Sequence, residues 1–202
     1  MGRSAPDHGP NRRHVTPRLF HDRRRLRVGL FGGSFNPAHG GHLHLSDLAQ
    51  RQLRLDEVWW LVSPQNPLKT KDGMASLATR LAAARRIVGT RRRVRVIAPE
   101  AGFRSSLTFQ TLLRLRARCA GHRFVWLMGA DNLVGFASWQ RHDVIAATMP
   151  IAVIDRPGYS YMALSVGASL LRHRITPRRM ARELALATVS YTHLTLPTIV
   201  SV

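Results

Sequence analysis

The stretch Gly29–Leu45 reads GLFGGSFNPAHGGHLHL and combines glycines with three histidines directly after a short apolar run. The apolar residues predict a β-strand that runs into Gly32 and Gly33, and the leucines that follow predict a helix. Glycines at such a turn let the backbone pass close to a bulky ligand, and the first amides of a helix favour an anion. We therefore expect a ligand site at this strand-to-helix turn.

The spacing of these glycines excludes two common nucleotide-binding motifs. It matches neither GxGxxG nor GxxxxGK[ST], so the dinucleotide fingerprint and the P-loop are both absent. What remains is HGGH at 39–42, in which two imidazoles at a helix start can direct N–H groups at a shared phosphate. Zinc is the competing interpretation, but the third histidine, His44, fits an ordinary helix position better. The pattern favours phosphate binding.

Apolar runs alternate with helical patterns from residue 27 to about residue 157. The runs are apolar throughout, as strands buried on both faces must be. The alternation predicts an α/β fold with a doubly wound parallel sheet, in which ligands bind beyond the carboxyl ends of the strands. The predicted strands are 27–33, 57–64, 93–99, 123–130 and 150–158, and the predicted helices are 41–55, 74–89, 106–121 and 139–149.

Composition narrows the class of protein. The 202 residues suffice for one domain with a real core, and the single cysteine, Cys119, excludes an internal disulfide and suits a reducing cytosol. The sequence contains neither a membrane-spanning apolar run nor a signal-peptide pattern, so we expect a cytoplasmic protein without a membrane partner. The formal charge of +20 is compatible with nucleic-acid binding. Because the arginines are scattered along the whole chain, an arginine-rich proteome with a small phosphate site is the favoured interpretation.

The chain divides into three unequal pieces. Residues 1–26 mix Pro, Gly and Arg without a period and are predicted to be a basic, disordered extension. The arginines of this segment are also typical of a transit peptide. Asp7 and Asp22 argue against one, because transit peptides contain few acidic residues. Residues 27–188 form the predicted domain. Residues 189–202 resemble a translated sequencing adapter and are predicted to be a non-native tail.

Several motifs occur in a characteristic order: GGSFNPAHGGHL, VWWLVSPQNPLK, LTFQTL, WLMGADNL, FASWQR and VIDRPGY. The first resembles the (H/T)xGH signature of the nucleotidylyltransferase superfamily. Together they resemble the bacterial nicotinate-nucleotide adenylyltransferases, over roughly two thirds of the chain. The resemblance implies a Rossmann-like nucleotidylyltransferase fold. It also implies a reaction of NAD biosynthesis, in which ATP and nicotinate mononucleotide give nicotinate adenine dinucleotide and pyrophosphate.

The resemblance also implies roles for the residues on the ATP side. His39 and His42 would hold the ATP phosphates and stabilise the transition state, with Mg²⁺ held mainly by phosphate oxygens and water. No metal ligands from the protein are expected. Asn36 stands where the family more often has aspartate, and we expect a modest effect. The loop that binds ATP would consist of Gly32, Gly33, Ser34 and Phe35, and Lys69 would supply a positive charge.

On the acceptor side, the resemblance assigns three residues. Trp139 would stack on the pyridine ring, Thr108 would receive its carboxylate, and Asp131 would bind ribose hydroxyls. Trp59, Trp60 and Trp126 are instead predicted to belong to the core. Two neighbours depart from the family pattern: Leu107 replaces a tyrosine and Gln110 an aspartate that the family often has.

The end of the chain and the acceptor leave alternatives open. The second nucleotide motif of the family, resembling SSTxIR, does not follow Gly158, so we expect a C-terminally truncated chain that binds ATP weakly and turns over poorly.

Nicotinamide mononucleotide or phosphopantetheine are alternative acceptors, though GADNL and SWQR favour nicotinate. A non-enzymatic nucleic-acid binder is less favoured, because it leaves the HGGH arrangement unexplained. The sequence does not give the oligomeric state.

Overall fold

One parallel sheet organises the residues that the computed structural model describes, namely 24–64, 73–99, 107–154 and 191–194. The spatial order of its strands is β3-β2-β1-β4-β5-β6, and every pairing is parallel. The order reverses between β1 and β4, which confirms the predicted doubly wound α/β fold. The strands are β1 (Arg27–Gly33), β2 (Glu57–Val62), β3 (Val94–Ile97), β4 (Arg123–Gly129), β5 (Ile151–Ile154) and β6 (Tyr191–Leu194).

Some of the predicted features lie outside the described residues. They include residues 1–23 of the basic extension and Lys69. β6 lies within the segment 189–202, which the sequence predicts to be non-native. Its backbone pairs with β5 from Ile151 opposite Tyr191 to Ile154 opposite Leu194.

Helices cover both faces of the sheet and connect its strands. Two of their boundaries have evident local causes: Ser76 caps the start of α2 through its hydroxyl, and Gly89 ends α2 with a φ of 59°. Within the described ranges, no helix has the length and apolar character that a membrane span requires. The helices are α1 (Gly40–Leu53), α2 (Leu77–Val88), α3 (Thr108–Arg118), α4 (Ala130–Val134) and α5 (His142–Thr148), with a 3₁₀ turn at Phe136–Ser138.

The core has two layers, one on each face of the sheet. Alternate residues of β2 point to opposite layers, so Trp59 packs with α3 and α5, whereas Trp60 packs with α1 and α2. Both of these tryptophans are fully buried, and Trp126 of β4 is 3% exposed. The prediction that these three tryptophans belong to the core is confirmed.

Two carboxylates, those of Asp56 and Glu57, lie at the amino end of the sheet. Glu57 accepts a 2.8 Å hydrogen bond from the indole N–H of Trp59 and forms an ion pair with Arg95. Asp56 accepts a 2.7 Å hydrogen bond from the backbone N–H of Arg27. Burial alone would raise the pKa of Asp56, but hydrogen bonds from Arg27 and the charges of Arg27 and Arg93 outweigh it and lower that pKa. These acids lie at the end of the sheet opposite the glycine-rich turn.

Gly32 is required by packing within the sheet. A β-carbon at this position would lie 2.3 Å from Cη2 of the buried Trp126 indole. The ring belongs to a close-packed layer and cannot shift cheaply. The glycine thus allows Trp126 to extend across β1.

We expect Gly32→Ala to lower the free energy of unfolding by about 1–3 kcal/mol, because the added methyl overpacks the core against the indole. Urea titration followed by circular dichroism measures this change. In a Trp126→Leu background the obstructing ring is absent, so the same substitution should cost much less there. Equal costs in the two backgrounds would show that the contact with Trp126 is not the cause.

Candidate active site

The glycine-rich turn lies where the order of the strands reverses. It connects the carboxyl end of β1 at Gly33 with the start of α1 at Gly40. β1 pairs with β2 on one side and with β4 on the other. In doubly wound sheets, ligands bind in the crevice at this position.

His39 and His42 cap α1 reciprocally. His39 is the N-cap residue, and its Nδ1 accepts a 3.1 Å hydrogen bond from the backbone N–H of Gly41. Nδ1 of His42 accepts a 3.2 Å hydrogen bond from the backbone N–H of His39. The two ring centroids lie 4.0 Å apart. The pair therefore acts as a capping box, with imidazole nitrogens in place of the usual oxygens.

This capping arrangement fixes where each ring carries its proton. An Nδ1 that accepts a backbone N–H is unprotonated, so each neutral ring holds its proton on Nε2. His39 is exposed and His42 is half-buried, so both rings belong to the surface of the turn. Helix α1 has no acidic residue in its first turn to compensate its positive end. The start of α1 is thus suited to an anionic ligand.

The buried ring of Phe35 packs between Trp60 and His42. Its side chain is 2% exposed and stacks on Trp60 with ring centroids 5.0 Å apart. The centroid of the His42 ring lies 4.9 Å from that of Phe35. Phe35 is predicted to contribute to ATP binding, and its buried ring leaves only its backbone for a direct contact. The ring holds His42 in place.

Gly41 leaves the space that the His39 ring occupies. A β-carbon at this position would lie 2.9 Å from Cε1 and 3.0 Å from Nδ1 of His39. At Gly40, one residue earlier in the same turn of helix, a β-carbon would meet no atom within 4 Å. The two adjacent glycines therefore differ, because a side chain at position 41 would clash with the His39 ring, whereas one at position 40 would not.

Two further side chains, one within the turn and one outside it, bond the turn to neighbouring parts of the chain. Asn36 donates through Nδ2 to the carbonyl of Gly73 at 3.1 Å, and its Oδ1 accepts from the N–H of Ala75 at 3.2 Å. An aspartate could accept from Ala75 but could not donate to Gly73. The departure from the family pattern at Asn36 thus adds a hydrogen bond. Arg80 donates to the carbonyl of Ser34 at 2.6 Å.

On the predicted acceptor side, α3 begins at Thr108 without a side-chain cap. Its N-cap residue is Leu107, whose side chain has no acceptor. The first turn of α3 contains no acidic residue. Thr111 is 1% exposed, and its hydroxyl has no hydrogen-bond partner among the described residues. The start of α3 thus has neither a side-chain cap nor an acidic residue, and the positive end of a helix favours a carboxylate.

Trp139 and Asp131 follow β4 at the same end of the sheet. Asp131 lies in the first turn of α4 and is half-buried. Trp139 is also half-buried, and its ring meets Phe136 and Trp126 edge-on, with centroids 5.7 and 6.4 Å away. Trp139 is therefore more exposed than the three core tryptophans.

The described part of the chain contains no group of three or more His, Cys, Asp or Glu side chains that could hold a metal ion. His44, the third histidine of the sequence motif, is exposed on α1.

Comparison with known proteins identifies the family. The family model described as Cytidylyltransferase-like matches residues 30–193. A protein of Methylorubrum extorquens named "Probable nicotinate-nucleotide adenylyltransferase" is 52% identical over 144 residues, which are 71% of this chain and 77% of that protein. Its namesake in Agrobacterium fabrum is 47% identical over 150 residues, covering 73% of this chain and 80% of the relative. The chain belongs to the nicotinate-nucleotide adenylyltransferase family.

A solved structure supports the fold of this nicotinate-nucleotide adenylyltransferase family member. The nicotinic acid mononucleotide adenylyltransferase of Plasmodium falciparum, complexed with NaAD, aligns with a TM-score of 0.62. The alignment covers 86% of this chain and 76% of the Plasmodium falciparum chain, at 15% sequence identity. The similarity extends to the Rossmann-like arrangement of strands and helices, as the sequence predicts.

The sequence-based assignment of this candidate site omits Arg80, includes Gly41 only as part of HGGH and treats Asn36 only as a departure from the family pattern. The signal for Arg80 was present, because it lies on the apolar face of α2, three residues after Leu77 and four before Ala84. For Gly41 and Asn36 the sequence carries no comparable signal. Their partners, the His39 ring and the backbone at 73–75, are defined only by the folded chain.

We expect Gly41→Ala to lower kcat/KM by about 10–100-fold, because the new methyl displaces the His39 ring and small misplacements of a catalytic group are costly. Stability should stay close to that of the wild type, since the helix propensity gained with alanine offsets the loss of the His39 N-cap. Steady-state assays and thermal unfolding measure the two quantities. Gly40→Ala is the matched control and should retain wild-type kcat/KM. A Gly41→Ala protein with wild-type kcat/KM would contradict the steric role.

Proposed function

We infer that this chain transfers the adenylyl group of ATP to nicotinate mononucleotide, giving nicotinate adenine dinucleotide and pyrophosphate in NAD biosynthesis. Relatives with about half of their aligned residues identical carry the name of this activity. The observation that carries the assignment to a site is the reciprocal cap of His39 and His42 where the order of the strands reverses.

The reaction requires positioning and charge stabilisation more than acid–base chemistry. A phosphate oxygen of nicotinate mononucleotide forms a bond to the α-phosphorus of ATP, while the bond from that phosphorus to the α–β bridging oxygen breaks. The electron pair of the broken bond leaves with pyrophosphate, in line with the attack. The attacking phosphate is already an anion, so no base is needed. What helps is a set of fixed donors aimed at the developing charge.

The two histidines provide such donors. Their Nδ1 atoms accept backbone N–H groups, so each neutral ring carries its proton on Nε2, the nitrogen that would donate to a phosphate oxygen. The positive end of α1 adds to the same field. Gly32, Gly33 and Ser34 form the backbone beside which the triphosphate would lie, and Lys69 would supply a further point charge. The acids at the amino end of the sheet are remote from this charge.

Enzymes of this family use ATP together with a divalent metal ion. We propose that the ion is Mg²⁺, which enters with ATP as part of the substrate. Mg²⁺ keeps several waters and prefers phosphate oxygens to an all-protein cage. Its role when bound is to offset the charge of the phosphates, and the residues of this chain orient the nucleotide.

The acceptor side favours an acidic pyridine nucleotide. The uncapped start of α3 and the hydroxyl of Thr108 suit a carboxylate, whereas the amide of nicotinamide mononucleotide carries no charge to interact with the helix end. Trp139, which is half-buried, would stack on the pyridine. Asp131 would accept hydrogen bonds from ribose hydroxyls.

We expect His42→Ala to lower kcat by about 10²–10³-fold, the usual cost of removing one donor from a charge-stabilising site. A pyrophosphate-release assay with ATP, Mg²⁺ and nicotinate mononucleotide measures the rate. His44→Ala, on the exposed face of the same helix, should turn over at the wild-type rate. A His42→Ala enzyme at full rate would refute the role given to that ring.

We expect kcat/KM to be about tenfold higher for nicotinate mononucleotide than for nicotinamide mononucleotide, because the helix start favours a negative charge by ~1–2 kcal/mol. Phosphopantetheine should not react. Comparison of turnover on the three acceptors measures the preference. Thr108→Val removes the hydroxyl and keeps the shape of the side chain, so it should reduce the preference by about fivefold. Equal turnover of the two mononucleotides would overturn the assignment of the acceptor.

A further inference from the structure

Arg80 is an arginine buried in the apolar face of α2. Its side chain is 2% exposed, and α2 packs against the layer of the core that contains Phe35 and Trp60. Buried charges are rare unless they are paired or fully hydrogen-bonded, so such a residue requires an explanation. No carboxylate pairs with Arg80 among the described residues.

Its guanidinium is bonded entirely to backbone carbonyls. Nη1 donates to Ser34 at 2.6 Å and to Ser63 at 2.7 Å. Nη2 donates to Pro64 at 2.7 Å, and Nε donates to Ala75 at 2.9 Å. Four of the five donors of the group are thus used, in the planar fork that an arginine provides.

These carbonyls belong to three separate parts of the chain. Ser34 follows β1 at the glycine-rich turn, Ser63 and Pro64 follow β2, and Ala75 precedes α2. Each is at the carboxyl end of the sheet or at the helix that packs beside it. One planar group therefore sets the separation between the turn and the end of the neighbouring strand.

Asn36, which belongs to the turn, also bonds the turn to the segment that precedes α2. Ala75 gives its N–H to Asn36 and its carbonyl to Arg80, so both of its backbone polar groups are engaged. Gly73 accepts from Asn36 as well. We call Arg80 and Asn36 together the carbonyl clasp. It attaches both Ser34 and Asn36 of the turn to backbone at 73–75.

We propose that Arg80 is a positioning residue for ATP, which with Asn36 holds the turn Ser34–Asn36 at the place where the triphosphate binds. The proposal rests on the proposed adenylyl transfer and adds a residue that neither the sequence motif nor the family resemblance includes. Arg80 acts through the backbone of Ser34 and does not touch the nucleotide. Because carbonyl dipoles solvate its charge without cancelling it, a full positive charge also remains beneath the turn.

Lysine cannot replace arginine in this role. Its ammonium is a single point with three donors, and it cannot reach carbonyls on three segments in one plane. Arg80→Lys therefore keeps the charge and removes the bridging geometry, whereas Arg80→Met removes both. The two variants separate positioning from electrostatics.

We expect Arg80→Lys to raise the KM and the dissociation constant for ATP by about tenfold, and Arg80→Met by about 10²-fold, because the turn is no longer held at its position. The KM for nicotinate mononucleotide should change by less than about twofold. Steady-state kinetics with each substrate varied and calorimetric titration with ATP and Mg²⁺ alone measure these quantities. Arg86→Lys, exposed on the same helix, is the matched control and should match wild type in both measurements.

A merely structural role gives a different result: a lower melting temperature and a smaller active fraction, with both KM values unchanged. That result, or an ATP dissociation constant within twofold of wild type in folded Arg80→Lys, overturns the proposal. If Arg80→Lys does not fold, Asn36→Ala decides, because this exposed side chain forms the other half of the carbonyl clasp. Its ATP dissociation constant should rise about threefold, and an unchanged value overturns the proposal.

The titration with ATP alone also separates this proposal from the proposed function. A wild-type chain that binds ATP but forms no dinucleotide would refute the adenylyl transfer, and Arg80 would still be judged by the ATP dissociation constants. A wild-type chain that does not bind ATP would overturn both.

Discussion

The structure around β1 and α1 depends on the absence of a β-carbon at two positions. At Gly32 the free space is filled by the Trp126 ring, and at Gly41 it is filled by the His39 ring. The first glycine lets the central strands pack, and the second lets an imidazole cap the helix. Both are steric requirements of the protein itself. The glycines of the turn are therefore explained by internal packing at least as much as by the approach of a ligand, which was the reason expected from the sequence.

The sheet was predictable because its strands are buried on both faces and read as continuous apolar runs. The predicted bounds of β1 are those of the structure, and those of β2, β3 and β4 differ mainly at their carboxyl ends. No strand was predicted at the position of β6. The short elements after β4 were not predicted: α4 has five residues, and the 3₁₀ turn has three. Segments of that length show no full helical period, so a helix predicted over 139–149 begins only at His142.

The place of the candidate site in the fold was predictable where local sequence marks a strand-to-helix turn or a buried ring. The histidines at 39 and 42 and the glycines before them are predictable in this sense, as is the distinction between Trp139 and the buried tryptophans. The partners of residues that act through backbone groups were not predictable, even where, as for Arg80, the residue itself carried a signal. The orientation of Phe35 into the core and the four carbonyls around Arg80 depend on which loops meet at the end of the sheet. That meeting is a long-range property of the fold.

The position of β1 in the middle of the sheet constrains how the protein is made. As the chain leaves the ribosome, β1, β2 and β3 emerge with α1 and α2 and can pair with one another at once. The other edge of β1 takes its partner from β4, which is synthesised only after α3. Until then the nascent half-sheet presents an open, apolar strand edge, the kind of surface on which chaperones act and from which aggregation starts.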